Sequence, residues 1–336
     1  MSFSSEVKAE LEKSHATARH CRIAELAAMI SMVADIIYID DTPKTLVIVT
    51  ERSIIARSVS RLIWQLFGIK PEAVVRRTGR NSRSYKMYIT DSEQIKSMLL
   101  TLKLEQDMYP DGMPAGRHRI SCQDMRINRT IIFKQCCKRA FLRGVFMTSG
   151  SVNNPEKGYH LEIVCDNDDR ADFIETLIRD FDIEAKKISR KRYSVVYIKD
   201  GTAIVDILNI MGAHNSLMNM ENVRILKDIS NNVNRKVNCE VANQKKTAEA
   251  YVKQAQDITF IIERKGLTYL PENLRELAEV RLEMPDASLK ELGEMMNPPI
   301  GKSGVNHRLR KISEIADKLR ESNFVTFGHT RGDHTF

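Results

Sequence analysis

One pattern of apolar and polar positions occurs twice along the chain. The runs CRIAELAAMISMVADI from Cys21 and CCKRAFLRGVFMTSGSV from Cys136 are both helical in spacing, and each has Arg or Lys ahead of its apolar segment. Matching segments follow in the same order. LVIV at 46–49 corresponds to LEIV at 161–164, and amphipathic helical stretches lie at 53–66 and 171–181. Those stretches end in similar turns, FGIKPEAVV and FDIEAKKI, and a basic hairpin leads to a closing strand, YKMYITD at 85–91 and SVVYIKD at 194–200. Turn residues punctuate the strands at Asp40-Asp41-Thr42-Pro43, at Thr78-Gly79-Arg80-Asn81 and in NNPEKG at 153–158. Each half therefore predicts helix, strand, strand, helix, strand, strand, helix. Self-similarity of this kind predicts a duplicated, pseudo-twofold α+β domain over 20–220, with repeats at about 20–105 and 130–220 and an N-terminal helix in 1–19.

Beyond residue 220 the pattern changes. Residues 221–246 are rich in Asn and Lys with weak periodicity and read as a connector, and 247–265 read as one helix ended by Gly266. A small all-α domain is expected at 269–322. Pro271 opens its first helix, in the first turn, and Pro285 closes it. Ser288 and Glu291 have the spacing of a capping box for a short second helix. After a tight turn through Gly301, Ser303 is expected to cap the last helix, whose Val305, Leu309, Ile312, Ala316 and Leu319 share one face. At 3.6 residues per turn Ser303, His307 and Arg310 point the other way, flanked by Asn306 and Lys311. No acid lies between Asn297 and Ser313, whereas Lys302, Arg308, Arg310 and Lys311 do. A short helix, a tight turn and a basic helix with hydrogen-bonding side chains near its start form a helix-turn-helix, with the motif at about 288–320 and its second helix entering the major groove. Residues 323–336 are expected to be a flexible tail.

Composition narrows the function classes. With 42% hydrophobic and 29% charged residues the chain has enough apolar mass for folded cores. The surplus of 52 Lys+Arg over 44 Asp+Glu favours a polyanionic partner, though modestly. The six cysteines, Cys21, Cys122, Cys136, Cys137, Cys165 and Cys239, form no C-x-x-C pair and have no His cluster beside them in sequence. They read as small hydrophobes in a reducing compartment, with no metal and no cofactor. No apolar run approaches the ~18–20 residues of a membrane span, and the N-terminus is not signal-like, so a cytoplasmic protein is expected. Gly301-Lys302-Ser303 looks like the end of a phosphate-binding P-loop, but Met296 stands where that loop needs glycine.

The runs at 26–30 and 142–150 resemble degenerate forms of the LAGLIDADG helix of homing endonucleases. GKSGVNHRLRK at 301–311 resembles the helix-turn-helix of the WhiA family. Together they cover about residues 5–320. The resemblance implies a bacterial DNA-binding transcription regulator, tied to cell division and chromosome segregation and, in sporulating relatives, to sporulation. It implies action on promoter double-stranded DNA at the nucleoid, with an iron–sulfur regulator or a sigma factor as partner protein. It also implies DNA contact by Lys302, Ser303, Asn306, His307, Arg308, Arg310 and Lys311.

A LAGLIDADG nuclease places one carboxylate at the end of each motif helix to hold divalent cations. Counted along the two motifs, those positions are Val33 and Ser149, and neither supplies an anionic oxygen. Asp35 lies two positions beyond the first, with no acid in its counterpart region, 149–154. Catalysis is therefore not expected. The hairpins repeat positive charge, with Arg76, Arg77, Arg80, Arg83 and Lys86 in the first and Lys186, Lys187, Arg190, Lys191 and Arg192 in the second. Such repetition fits secondary contact with phosphate. Two alternatives stand beside the regulator: a LAGLIDADG-type nuclease or RNA-binding splicing factor, and a scaffold that docks a transcription partner.

Overall fold

The computed structural model describes residues 2–14, 16–77, 83–106 and 116–327. The chain divides into two compact units, 1–227 and 228–336.

In the first unit the duplication is explicit. The first repeat runs α2 (Arg19–Val33), β1 (Ala34–Ile39), β2 (Thr42–Thr50), α3 (Ser53–Phe67), β3 (Glu72–Arg77), β4 (Arg83–Ile89) and α4 (Ser92–Leu102). The second runs α5 (Gln135–Ser149), β8 (Gly150–Val152), β9 (Leu161–Cys165), α6 (Asp168–Arg179), β10 (Lys186–Arg190), β11 (Tyr193–Ile198) and α7 (Gly201–Met211). Sheet orders agree, β3-β4-β2-β1 against β10-β11-β9-β8. Even the caps correspond. Asp91 and Asp200, which end the matched strand motifs, accept from Gln94 N and Ala203 N and so start α4 and α7. The Asp40–Asp41 turn has both residues at positive φ, the twist that a two-residue hairpin needs.

Between the repeats lie β5 (Leu104–Gln106), β6 (Arg117–Ile120) and β7 (Met125–Ile127), which the repeated pattern does not predict. β6 pairs with β1 and makes the first sheet five-stranded. The Thr78–Asn81 turn, Arg80 with it, lies outside the described residues.

Helices α2 and α5, both 15 residues long, pack against each other in the centre of this unit. Ala28 and Gly144 hold the same place in the two helices. A Cβ at Gly144 would stand 2.6 Å from the Glu25 carbonyl oxygen and 2.9 Å from Ala28 Cβ, so only glycine allows this approach. Beside the crossing, buried Arg143 donates to both carboxylate oxygens of Glu25 at 3.1 and 2.7 Å, and to the Met211 carbonyl at 3.3 Å. On α3, half-exposed Trp64 carries the Lys70 ammonium 4.9 Å from its ring centroid.

Helix α1 (Phe3–Lys13) contributes Phe3, Val7 and Leu11 to the same core. It also buries Lys8, whose ammonium has no hydrogen-bond acceptor among the described residues and lies 5.6 Å from the Phe146 ring. Burial, helped by the Arg52 charge, pulls its pKa from the usual 10.5 to about 7. Between those values the unfolded chain binds more protons than the native one, so stability should rise with pH from about 7 to 10.5. At ~1.4 kcal/mol per unit the ceiling of this effect is roughly 4–5 kcal/mol. Lys8→Met should flatten the slope and stabilise the unit at pH 7. Urea melts of both proteins across that range test this, and parallel slopes would refute it.

Helix α8 (His214–Lys265) is continuous for 52 residues, so the segment 221–246, expected as a connector, is helical. Neither Gly nor Pro occurs from His214 to Lys265, and pairs such as Lys245–Glu249 at 3.8 Å support the solvated turns. In the second unit Ile258 and Ile261 of α8 pack with Leu274, Leu277, Leu292, Val305, Leu309 and Ile312. The boundary expected near 268 thus falls inside an apolar cluster. Buried Arg281 binds Gln254 Oε1 at 2.9 Å and the Ala287 carbonyl at 2.8 Å, which ties the following loop to α8.

Candidate nucleic-acid interface

Three helices build the helix-turn-helix: α9 (Glu272–Glu283), α10 (Leu289–Glu294) and α11 (Lys302–Phe327). Pro271 is the residue before α9 rather than its first residue. The capping box forms at the head of α10. Glu291 N donates to Ser288 Oγ at 3.3 Å, and Ser288 N donates to Glu291 at 2.7 Å. That second bond holds the Glu291 carboxyl below its ordinary pKa. The turn is fixed at two points. Ile300 N donates back to the Gly293 carbonyl at 2.9 Å, and Asn297 N donates to Glu276 of α9 at 2.9 Å.

Gly301, not Ser303, ends that turn. Its carbonyl accepts from Val305 N at 3.1 Å, so α11 starts one residue before the expected cap, and Ser303 lies inside its first turn. The helix continues through Phe327, which takes in 323–327 of the expected tail; the remainder lies outside the described residues. Val305, Leu309, Ile312 and Ala316 are buried, and Leu319 is half-buried. Buried Asp257 of α8 accepts from Ser313 Oγ at 2.6 Å and Arg320 at 2.7 Å, and so fixes the rotation of α11.

That rotation turns Lys302, Ser303, Asn306, His307, Arg310 and Lys311 outward, and all six are exposed. Arg310 has one surface pairing, with Glu314 at 3.8 Å, of the kind that exchanges readily with a phosphate. Arg308 differs from the others. It is half-buried and donates to the Asn273 carbonyl of α9 at 3.2 Å, a brace within the unit rather than part of the outward row.

In the first unit, strand register sorts the hairpin cations. Met87 and Ile89 face the helices, and Arg83 and Arg77 share their side of the sheet. Arg76 and Lys86 lie on the opposite, open face. In the second sheet Arg190 and Lys186 take the open face, with Arg190 opposite Tyr193, while Lys187 faces α6 and pairs with Asp172. Arg76 and Arg190 hold equivalent register positions. Lys191, at positive φ, and Arg192 form the turn.

Around the helix ends, Asp35 is buried and already occupied: Arg119 and the Cys122 amide both donate to it. Ser149 donates to the Val145 carbonyl of its own helix at 3.2 Å. The cysteines are not all small buried hydrophobes. Cys21, Cys137 and Cys165 are buried as expected, but Cys136 and Cys239 are exposed, and His20 lies beside Cys21, Cys136 and Cys137. Pair spacing along the chain could not show this, because the two pairs come from different repeats.

Comparison with known proteins agrees with this architecture. The WhiA N-terminal LAGLIDADG-like domain matches residues 19–104, the WhiA LAGLIDADG-like domain 138–230, and the WhiA C-terminal HTH domain 233–316. The probable cell division protein WhiA of Lachnoclostridium phytofermentans is 45% identical over 323 residues, which is 96% of this chain and 100% of the relative. Its counterpart in Lachnospira eligens is 46% identical, covering 96% and 98%. The crystal structure of full-length WhiA from Thermatoga maritima superposes with a TM-score of 0.58 at 27% identity, covering 95% of this chain and 99% of that one. Among the described residues, no helix is long and apolar enough to cross a membrane. A duplicated LAGLIDADG-like unit followed by this helix-turn-helix, matched over nearly the whole chain, makes the protein a member of the WhiA family.

Proposed function

We propose that the chain is a non-catalytic, sequence-specific DNA-binding regulator that acts on promoters of cell-division genes at the nucleoid. Chromosome segregation and sporulation are the related processes in which the family resemblance places such a regulator. The outward row on α11 supports this reading most directly. Six polar or basic side chains occupy the exposed face of the first three turns of the helix, and the first acid along it is Glu314. Arg and Lys match guanine edges, Asn matches adenine, and the helix N-terminus favours a phosphate. Val33 and Ser149 leave the nuclease acid positions without carboxylates, and Asp35 is held by Arg119.

Arg310→Ala and His307→Ala should each weaken binding to a promoter duplex about tenfold, as expected when a base contact worth ~1–3 kcal/mol is lost, and relax its preference over a scrambled duplex. Fluorescence anisotropy at two salt concentrations measures both effects, and a gel of the same reactions with Mg²⁺ present reads cleavage. Unchanged binding by both variants would remove α11 as the reading helix, and cut products would restore the nuclease.

The open sheet faces favour a second contact, with flanking phosphates. Arg76→Glu with Arg190→Glu should weaken promoter and scrambled duplexes equally and lower the salt slope by about 2, near one unit for each lost phosphate contact. An unchanged slope would remove that face from DNA contact and leave docking of a transcription partner, by the resemblance an iron–sulfur regulator or a sigma factor, as the alternative reading.

A further inference from the structure

The duplicated helices α2 and α5 bring a second set of side chains together at the ends opposite Val33 and Ser149. Both helices are 15 residues long, so positions correspond one to one. His20 and Cys21 are the second and third residues of α2, and Cys136 and Cys137 are the second and third residues of α5. The four donors therefore sit astride the pseudo-twofold axis as two equivalent pairs. His20 Nδ1 lies 3.2 Å from Cys21 Sγ, 3.2 Å from Cys137 Sγ and 4.0 Å from Cys136 Sγ. All four donor atoms fall within 4.8 Å of one another.

Those distances are close to the nitrogen–sulfur edges of a coordination tetrahedron. With Zn–S of about 2.3 Å and Zn–N of about 2.0–2.1 Å, a tetrahedral site has N···S edges near 3.6 Å and S···S edges near 3.8 Å. Three sulfurs at 3.2–4.0 Å from one imidazole nitrogen, with no two donors more than 4.8 Å apart, need a closure of no more than about 1 Å to meet an ion. The set is one His and three Cys, a common structural zinc complement, and it carries no carboxylate that would favour a harder cation. Three thiolates and a neutral imidazole around Zn²⁺ leave one net negative charge. It falls at two helix N-termini with no acid in either first turn, where partial positive charge offsets it. Exposed His20 and Cys136 provide the entry path, while buried Cys21 and Cys137 close the floor.

We propose that His20, Cys21, Cys136 and Cys137 form a structural zinc site that staples the two repeats together at the N-terminal ends of α2 and α5. Binding forms one Zn–N and three Zn–S bonds and releases the three thiol protons to solvent. The ion has four protein ligands and no open position, so its role is cohesion and not hydrolysis. This site is independent of how α11 binds DNA.

Full-length protein purified without chelator, or reconstituted with Zn²⁺ and desalted, should hold about one zinc per chain by inductively coupled plasma mass spectrometry. Cys136→Ser and His20→Ala change only the exposed ligands and spare the core. Each should lose at least nine-tenths of the metal, while Cys239→Ser, at an exposed cysteine elsewhere, should keep it. Co²⁺ added to the metal-free chain should give the ligand-field and sulfur charge-transfer bands of a tetrahedral thiolate site, absent in Cys136→Ser. Chelation should lower the melting temperature of the parent protein and leave that of Cys136→Ser unmoved. Zinc-free protein after reconstitution, equal metal in all variants, or a disulfide among these cysteines in the freshly purified chain would each overturn the assignment.

Discussion

Arg143→Ala should destabilise the first unit by about 3–5 kcal/mol, the loss seen when one partner of a buried ion pair is removed. Glu25 is 0% exposed and the Arg143 side chain 9%, so neither can turn to water when its partner goes. Alanine would also leave the Met211 carbonyl without this donor and a cavity where the guanidinium was. Glu25→Leu should cost a similar amount, because it strands the guanidinium instead. Replacing both, as Glu25→Leu with Arg143→Met, should recover most of the loss, since an apolar pair of similar volume avoids desolvating two charges. Equilibrium urea unfolding of the four proteins completes the cycle. Single variants within about 1 kcal/mol of the parent, the range of an exposed pair, would show that the two charges reach solvent. The pair has no counterpart about the pseudo-twofold axis, because Ala27 and Phe141 hold the related positions. It therefore distinguishes the correct docking of unlike repeats from docking of like ones.

Gly293→Ala should weaken promoter binding at least tenfold by closing off the turn itself. A Cβ there would stand 2.2 Å from the Ile300 carbonyl oxygen and 3.2 Å from Val305 Cγ2. The first contact is with backbone, so relief requires moving the turn, and the Ile300 N–Gly293 O bond goes with it. Moving the turn re-aims α11. Promoter affinity should fall at least tenfold, and the second unit should lose about 1–3 kcal/mol, the usual range for forced overpacking. Gly304→Ala is the matched control. The nearest atoms its Cβ would meet are in the Ile300 side chain, at 3.6 Å or more, and alanine favours an interior helix position by roughly 0.5–1 kcal/mol. Anisotropy titration and thermal unfolding of both variants decide it. Parent-like binding by Gly293→Ala would mean that the turn has slack where the contacts show none.

The repeats were legible because duplication doubles every weak signal. Asp91 and Asp200 look ordinary alone, but at matched strand ends they mark two helix starts. The α11 face was legible because Val305, Leu309, Ile312 and Ala316 keep strict helical spacing and leave one polar side. What periodicity cannot give is reach. Arg308 belongs to the basic run in sequence, yet its long side chain folds back to the Asn273 carbonyl. Register had the same effect in the hairpins. Arg77 and Arg83 carry the same charge as Arg76 and Lys86 but point to the other face, a distinction set by one residue of pairing. The middle of α8 was missed because a solvated helix needs no apolar stripe; the absence of Gly and Pro was the available sign. His20 with its three cysteines stayed hidden because ligand-spacing rules assume a local knuckle, whereas here each repeat supplies half.

Trp64 is the chain's only tryptophan, and it lies on α3 in the first unit, half in water and under the Lys70 ammonium. The molecule therefore carries an optical label on one of its two units. Tryptophan emission will follow the duplicated unit and stay silent when the helix-turn-helix unit melts, whereas far-ultraviolet circular dichroism will register both. Where the two signals separate during unfolding, the order in which the units come apart can be read from the unmodified protein, without an attached dye.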